Sequence, residues 1–264
     1  MNGLPIDSSS TRAYLARIGA RHPGRQDEEA LRDLHRRHLL TVPFENLSVH
    51  LGEDIVLEAE ALTHKIVEGR RGGFCYELNG AFAALLSTLG FPVTLLAARV
   101  FGDDGPGPLF DHLALRVETP RPWLVDVGFG RHSEYPLRLD SRDEQADPGG
   151  LFRIEETQQG DLDVHRDGVA QYRLEQRPRT LDDFELGCWW HRTSPKSHFT
   201  QSLVCSLLTE DGRITLSGRT LTVTGPDGRR EEELAGDAVR PAYREHFGIE
   251  LDRVPVLKEQ GTAV

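Results

Sequence analysis

The 264-residue sequence is poor in the features that define several protein classes. It holds three cysteines, Cys75, Cys188 and Cys205, too few and odd in number for a disulfide framework. No apolar run approaches the roughly 20 residues that span a bilayer. The N-terminal stretch MNGLPIDSSSTRAYL lacks the basic-then-apolar order of a signal peptide. An excess of positive charge is also missing: 42 acidic residues against 31 basic ones give a net charge of -11. Such a surface repels phosphate backbones, so nucleic acid is not an expected partner, although a local basic cradle for a small phosphorylated ligand remains compatible with it. These absences lead to the expectation of a cytoplasmic protein with reduced thiols and no membrane partner. There is no internal repeat and no low-complexity tract.

What is present reads as α+β. Tyr14, Leu15 and Ile18 recur at helical spacing behind a Ser/Thr-rich cap. Further helices are expected over about 27–40 and 58–69. Another starts at or beside Cys75, carries Leu78, Phe82, Leu85, Leu86 and Leu89, and stops at Gly90. After Pro92 the texture changes to short β-rich runs, VTLLAARVF, HLALRVE, WLVDVGF, LFRIEE, LDVHR and AQYRLEQ, which suggest an antiparallel sheet or small barrel. A helix over 181–192 is followed by the strands SLVCSLL, RITLSG, TLTVTG and REEEL. Gly225-Pro226-Asp227-Gly228 forms a hairpin turn between the last two, and a final helix covers about 237–247.

One stretch, RRGGFCYELNG (70–80), places a thiol where a helix begins. The first backbone N–H groups of a helix lack intrahelical acceptors, and the helix dipole favours negative charge there. Both effects favour thiolate, the nucleophilic form. Gly72 and Gly73 are expected to leave room around the sulfur, and Arg70 and Arg71 to add positive field or pair with acids. Taken alone, core burial explains such a cysteine equally well.

A nucleophilic thiol needs a base, and the base needs an orienting group. Of 11 histidines, His112 has the best context. It opens the strand HLALRVE, the chain turns at Thr119-Pro120-Arg121-Pro122, and WLVDV returns. A hairpin brings the start of the first strand near Asp126 at the end of the second. Alone, His112 reads as a strand-end surface residue and Asp126 as a turn carboxylate. With Cys75 they form a constellation for nucleophilic catalysis.

RGGFCYELN, HLALRV and WLVDVGFG, in this order, resemble the arylamine N-acetyltransferases. LLTVPFENLSVHLG (39–52), YLARIG (14–19) and TSPKSHFTQS (193–202) extend the resemblance from near the N-terminus to about residue 205. It implies a three-part fold: a helical bundle (1–90) with the nucleophile, an antiparallel β-barrel (91–192) with histidine and aspartate, and an α/β lid with its connecting segment (193–264). It implies a catalytic triad of Cys75, His112 and Asp126 and ping-pong transfer from acetyl-coenzyme A, a co-substrate rather than a permanently bound cofactor. The acceptor would be an arylamine, arylhydrazine or N-hydroxyarylamine. Tyr76 and Phe129 would wall the acceptor, Gly130 would admit the pantetheine arm or pyrophosphate, and Phe199 would touch the coenzyme. Arg17 and Glu45 would pair to brace the site, Arg71 would support it, and Asn79, one turn past the cysteine, would support the triad.

Phe110-Asp111 replaces the Pro-Thr that often precedes this histidine in the family, which bears on donor preference. The family also contains amide synthases that close macrolactams from polyketide thioesters on an acyl carrier protein, and the triad motifs do not separate the two. A cysteine hydrolase shares the order Cys, His, Asp, but RGGFCYELN is unlike the cysteine context of papains. A non-catalytic binding protein would not need all three residues. His35 and His38 share a helix face without further ligands nearby, so no metal is expected. Cys188 and Cys205 read as core, and Glu231 to Glu233 as a solvated face.

Overall fold

The computed structural model describes residues 4–257. Residues 1–3 and 258–264, at the ends of the first and third expected regions, lie outside the described residues.

The N-terminal part is helical: α1 (Ser8–Arg17), α2 (Glu28–Thr41), α3 (Leu47–Leu51), α4 (Ala59–Val67) and α5 (Cys75–Thr88), with a two-residue strand β1 (Phe44–Glu45) between α2 and α3. Asp7 starts α1 by accepting from the Ser9 and Ser10 N–H groups at 2.8 and 2.7 Å, as an N-cap residue should. Asp27 does the same for α2 through the Ala30 N–H at 3.1 Å. The apolar stripe read on α5 is wider than a stripe. Every residue from Cys75 to Leu86 is buried, so α5 is the axis around which the molecule packs. Gly80 lets it be so: a Cβ there would lie 2.6 Å from Leu62 Cδ1, a neighbouring side chain rather than a backbone.

The middle part runs β2 (Val93–Gly102), β3 (Gly105–Pro106), β4 (His112–Glu118), β5 (Pro122–Val125), β6 (Leu137–Arg138), β7 (Gln145–Asp147), β8 (Gly150–Glu156), β9 (Leu162–Arg166) and β10 (Val169–Arg179). The strand order is β6-β5-β4-β2-β10-β9-β8-β7, antiparallel at every step, with β3 paired to β2. The sheet curls into a nearly closed barrel. Its two edges are bridged by Gln145, whose side chain accepts from the Arg138 N–H (2.7 Å) and donates to the Arg138 carbonyl (3.0 Å). The unbroken apolar run of β2 follows from its position. Leu96 and Ala98 point into the barrel core with Phe152, Val164 and Tyr172, while Leu95 and Ala97 face the α5 cluster.

A 3₁₀ turn (Leu181–Phe184) leads to α6 (Glu185–Thr193) and α7 (His198–Gln201). Then come β11 (Val204–Thr209), β12 (Gly212–Ser217), β13 (Thr220–Gly225), β14 (Gly228–Glu233) and α8 (Val239–Phe247). Gly225 faces Gly228 across the expected hairpin turn. β1 joins this C-terminal sheet beside β11, with Phe44 opposite Ser206 and Glu45 opposite Cys205. The short β1 and α3 were not legible as separate elements, because two- and five-residue pieces carry no measurable periodicity. Glu231 to Glu233 lie on the exposed edge strand β14, where charge discourages edge-to-edge pairing.

Candidate active site

Cys75 is the first residue of α5. The preceding Phe74 is extended, and its N–H donates to the Glu77 carboxylate at 3.2 Å, half of a capping box. The approach to the cysteine is built from two separated motifs. Glu45 N–H donates to the Gly73 carbonyl at 2.9 Å, and Phe44 and Gly73 form a parallel bridge. Contrary to the sequence expectation, the glycines are not there to make room around the sulfur. A Cβ on Gly72 would lie 1.8 Å from the Pro43 carbonyl oxygen, and one on Gly73 would lie 2.6 Å from the Glu77 side chain. They let PFENL and RGGFC run in backbone contact.

An ionic network centred on the buried Arg71 and Glu45 holds that contact. Arg71 Nε donates to Glu45 Oε1 at 2.9 Å and its Nη1 to Glu53 Oε2 at 3.0 Å. Glu45 also accepts from the Leu47 N–H at 2.6 Å, and Lys65 pairs with Glu77. Burial alone would raise the Glu45 carboxyl, but the Arg71 and Lys65 charges outweigh it and hold the pKa below the usual value. Glu77 goes the other way: burial dominates despite Lys65 and lifts its pKa. The expected Arg17–Glu45 pair is absent. Arg17 Nε instead donates to the Ile66 carbonyl at 3.3 Å, and Arg71 takes the role at Glu45. Chain order favours neither arginine, because the partner is set by where 70–73 crosses β1.

His112 and Asp126 meet as the hairpin suggested. β4 and β5 pair with Leu115 opposite Val125, and beyond the last pair His112 Nε2 lies 2.7 Å from Asp126 Oδ2. Cys75 lines the same cleft as this imidazole and lies close enough to favour its charged form. Asp126 is buried and also accepts from Asn79 Nδ2 (2.9 Å) and the Gly128 N–H (3.0 Å). Asn79 donates besides to the Leu113 carbonyl at 2.6 Å and accepts from the Val127 N–H at 2.9 Å, so one side chain ties α5 to both strands. Burial opposes charge on His112, but the Asp126 carboxylate and its hydrogen bond, with the nearby Cys75, prevail, and the pKa is pushed up to about 10. Burial likewise opposes charge on Asp126, and the His112 charge and hydrogen bond, with Asn79, hold it well below the carboxylate range.

Cys75 and His112 open on a cleft of about 1170 Å³ between the barrel and the C-terminal sheet, lined also by Phe44, Phe129, Gly130 and Phe199. Phe129 meets the His112 ring edge-on at 5.2 Å. Phe199 packs on Phe74 at 5.1 Å. Gly130 adopts φ +88°, which favours glycine, and faces Phe44. Tyr76 is not part of the wall. It is fully buried, and its hydroxyl donates to the Phe110 carbonyl at 2.6 Å. As the residue after a helix-start cysteine, it turns from the cleft into the α5 core.

Sequence reasoning missed Gly128, where a Cβ would come within 2.7 Å of both Cys75 Cα and Asn79 Nδ2. DVGFG carried that signal, but the requirement was placed at Gly130. It also missed Tyr172, whose hydroxyl lies beside Asp126 and 3.3 Å from His132 Nε2. Burial and Asp126 raise the Tyr172 pKa, and burial lowers that of His132 to about 4, so both stay neutral next to the triad. His35 and His38 pack on Phe82, with His35 Nδ1 at the Glu134 carbonyl and His38 Nε2 at the Tyr14 hydroxyl, each 3.0 Å away. Cys188 and Cys205 are buried, and burial raises both thiols, Cys188 to about 12.

Residues 27–256 match the family model described as N-acetyltransferase. A relative named arylamine N-acetyltransferase from Mycolicibacterium smegmatis is 36% identical, over 90% of this chain and 91% of its own. The solved arylamine N-acetyltransferase of Salmonella typhimurium superposes with a TM-score of 0.86 at 30% identity, over 94% of both chains. That of Mycobacterium marinum in complex with CoA gives a TM-score of 0.83 at 34% identity, over 90% of this chain and 92% of its own.

Proposed function

The chain belongs to the arylamine N-acetyltransferase family, enzymes that use acetyl-coenzyme A as co-substrate, and from that premise we propose that it acetylates aromatic amines, hydrazines or hydroxylamines through a Cys75 thioester. The observation that carries the reading is one imidazole, bonded to the Asp126 carboxylate, that lines the same cleft as the cysteine at the start of α5.

Each step follows from that arrangement. The reacting state proposed here pairs an imidazolium His112 with a Cys75 thiolate, the nucleophilic form of a cysteine. The thiolate attacks the acetyl carbonyl carbon and a new C–S bond forms. The bond to the coenzyme sulfur breaks, and the leaving thiolate takes the proton from His112. The Cys75 N–H, at a helix start without an intrahelical acceptor, is the oxyanion donor proposed here. The amine then attacks the thioester, neutral His112 accepts its proton, and the Cys75 thiolate departs, restoring the ion pair. Asp126 keeps the ring oriented throughout. The apolar wall of Phe44, Phe129 and Phe199 limits water at the thioester.

Intact-protein mass spectrometry after incubation with acetyl-coenzyme A and no acceptor tests this. One acetyl adduct is expected on the wild type, discharged by an arylamine, and none on Cys75→Ala. Coenzyme A release without any adduct on a fast-alkylating Cys75 would count instead for hydrolysis.

A further inference from the structure

The segment entering His112 carries a second polar array that the acyl-transfer steps do not use. His191, on α6, sets Nε2 at 3.1 Å from Asp111 Oδ1 and at 3.1 Å from the Asp111 carbonyl. Its Nδ1 lies 3.2 Å from Ser197 Oγ. Asp111 Oδ2 accepts from the Val100 N–H at 3.2 Å, and Ser197 Oγ from the Phe199 N–H at 3.2 Å. Two oxygens facing Nε2 assign the proton to that nitrogen, so Nδ1 accepts the Ser197 hydroxyl when the ring is neutral. An Asp–His–Ser line is also the arrangement of an activated serine. Here Ser197 is fully buried and caps α7, so it has no access to a substrate.

What the array grips is the backbone just before His112. Phe110 sits at φ 59°, a left-handed conformation that is strained for a non-glycine residue. Its carbonyl takes the Tyr76 hydroxyl, and a Cβ on Gly187 of α6 would lie 2.6 Å from that same oxygen. Thus Tyr76, next to Cys75, and His191, on α6, hold the two residues that precede His112. The His191 ring is itself wedged among Phe74, Tyr76, Trp190 and Phe199, at centroid distances of 6.4, 6.0, 5.0 and 5.1 Å. Both Asp111 and His191 line the cleft. Both Asp111 carboxylate oxygens are engaged, one by His191 and one by the Val100 N–H.

We propose that Asp111 and His191 form a positioning pair that sets where the His112 ring stands relative to the Cys75 sulfur. The proposal rests on the assignment of Cys75 and His112 made above. A proline at position 110 would hold φ at about −65° and could not make the turn seen here, where Phe110 has φ 59°. This turn is held by side chains instead.

The test compares His191→Phe and His191→Gln with wild type, reading kcat, the KM for acetyl-coenzyme A, the iodoacetamide alkylation rate of Cys75 at neutral pH, and the melting curve. A small misplacement of reacting groups can cost as much as about 100-fold in rate. His191→Phe is expected to lower kcat and the alkylation rate together, by about tenfold or more, with KM nearly unchanged. His191→Gln, which retains a donor for Asp111, is expected to recover most of the loss. A raised KM with wild-type alkylation, or no rescue by glutamine, would overturn the proposal and leave His191 as cleft wall. If His191→Phe does not melt cooperatively, Asp111→Asn replaces it: slowed alkylation supports the pair, and wild-type alkylation refutes it. Wild-type protein that neither alkylates nor acetylates at Cys75 removes the triad assignment, and this proposal with it.

Discussion

Asp126 governs the charge on His112, and the two sit in a site with almost no solvent. A histidine raised from 6.5 to about 10 contributes stability that is fully present below pH 6.5 and is lost as pH climbs through about 10. The free energy of urea unfolding should therefore fall across that window, and Asp126→Asn should flatten the fall. The same variant should slow Cys75 alkylation at neutral pH, because the imidazolium loses its counter-charge. An unchanged alkylation rate would remove Asp126 from the reacting set. Arg71 makes a separate prediction. Glu45 is fully buried, so Arg71→Met leaves a carboxylate without its cation and should cost about 3–5 kcal/mol of stability. Replacing both, Arg71→Met with Glu45→Leu, should recover much of that loss. Cys75, His112 and Asp126 were legible as candidates because each breaks a local pattern: a thiol among glycines, and a polar residue at the end of each apolar strand. The Arg71–Glu45 contact was not legible, since long side chains choose partners only after distant segments have met.

At the level of elements, β1 and α3 join the helical part to the C-terminal sheet, although they are the pieces sequence reading lost. Asn46, between them, donates through Nδ2 to the Phe199 and Ser202 carbonyls at 2.9 and 2.6 Å, and its Oδ1 accepts from the Val204 N–H at 2.9 Å. One side chain thus ties the helical part to α7 and to the start of β11. Asn46→Ala removes the partner of the Phe199 carbonyl and the Val204 N–H, while His50 Nε2 still meets the Ser202 carbonyl, and should cost about 1–3 kcal/mol. Faster amide hydrogen exchange is expected at Val204, together with a raised KM for acetyl-coenzyme A because Phe199 lines the cleft. Unchanged exchange at Val204 would show that β1 alone holds the wall. Longer elements were legible from period alone. The helix at Cys75 and the strands at 93–102, 112–118 and 204–209 lie where the patterns put them, since burial of one or both faces writes itself into the sequence over five or more residues.

We propose that the three expected regions, 1–90, 91–192 and 193–264, are architectural units that do not unfold independently. β1 lies between α2 and α3 in the chain, yet it forms the edge of the C-terminal sheet. Arg36 of α2 reaches Glu210 beyond β11 at 2.8 Å, and α5 contributes to one core with barrel residues Leu95, Leu115 and Val125. Detaching the C-terminal sheet would strip β1 of its partner and uncover Leu47 and Leu51, which share a core with Leu203, Leu216 and Tyr243. Each uncovered side chain forfeits about 1.5–3 kcal/mol of apolar burial, which makes a state with only that sheet released unfavourable. Urea unfolding followed by tryptophan fluorescence, which reports Trp123 in the barrel and Trp189 and Trp190 on α6, should therefore coincide with the loss of far-ultraviolet circular dichroism. Coenzyme A at about 100 times its Kd should shift both probes together by about 2.7 kcal/mol, because its cleft exists only while barrel and C-terminal sheet are joined. Two separated transitions, with the ligand moving one and not the other, would instead identify the C-terminal sheet as a unit that opens before the catalytic core unfolds.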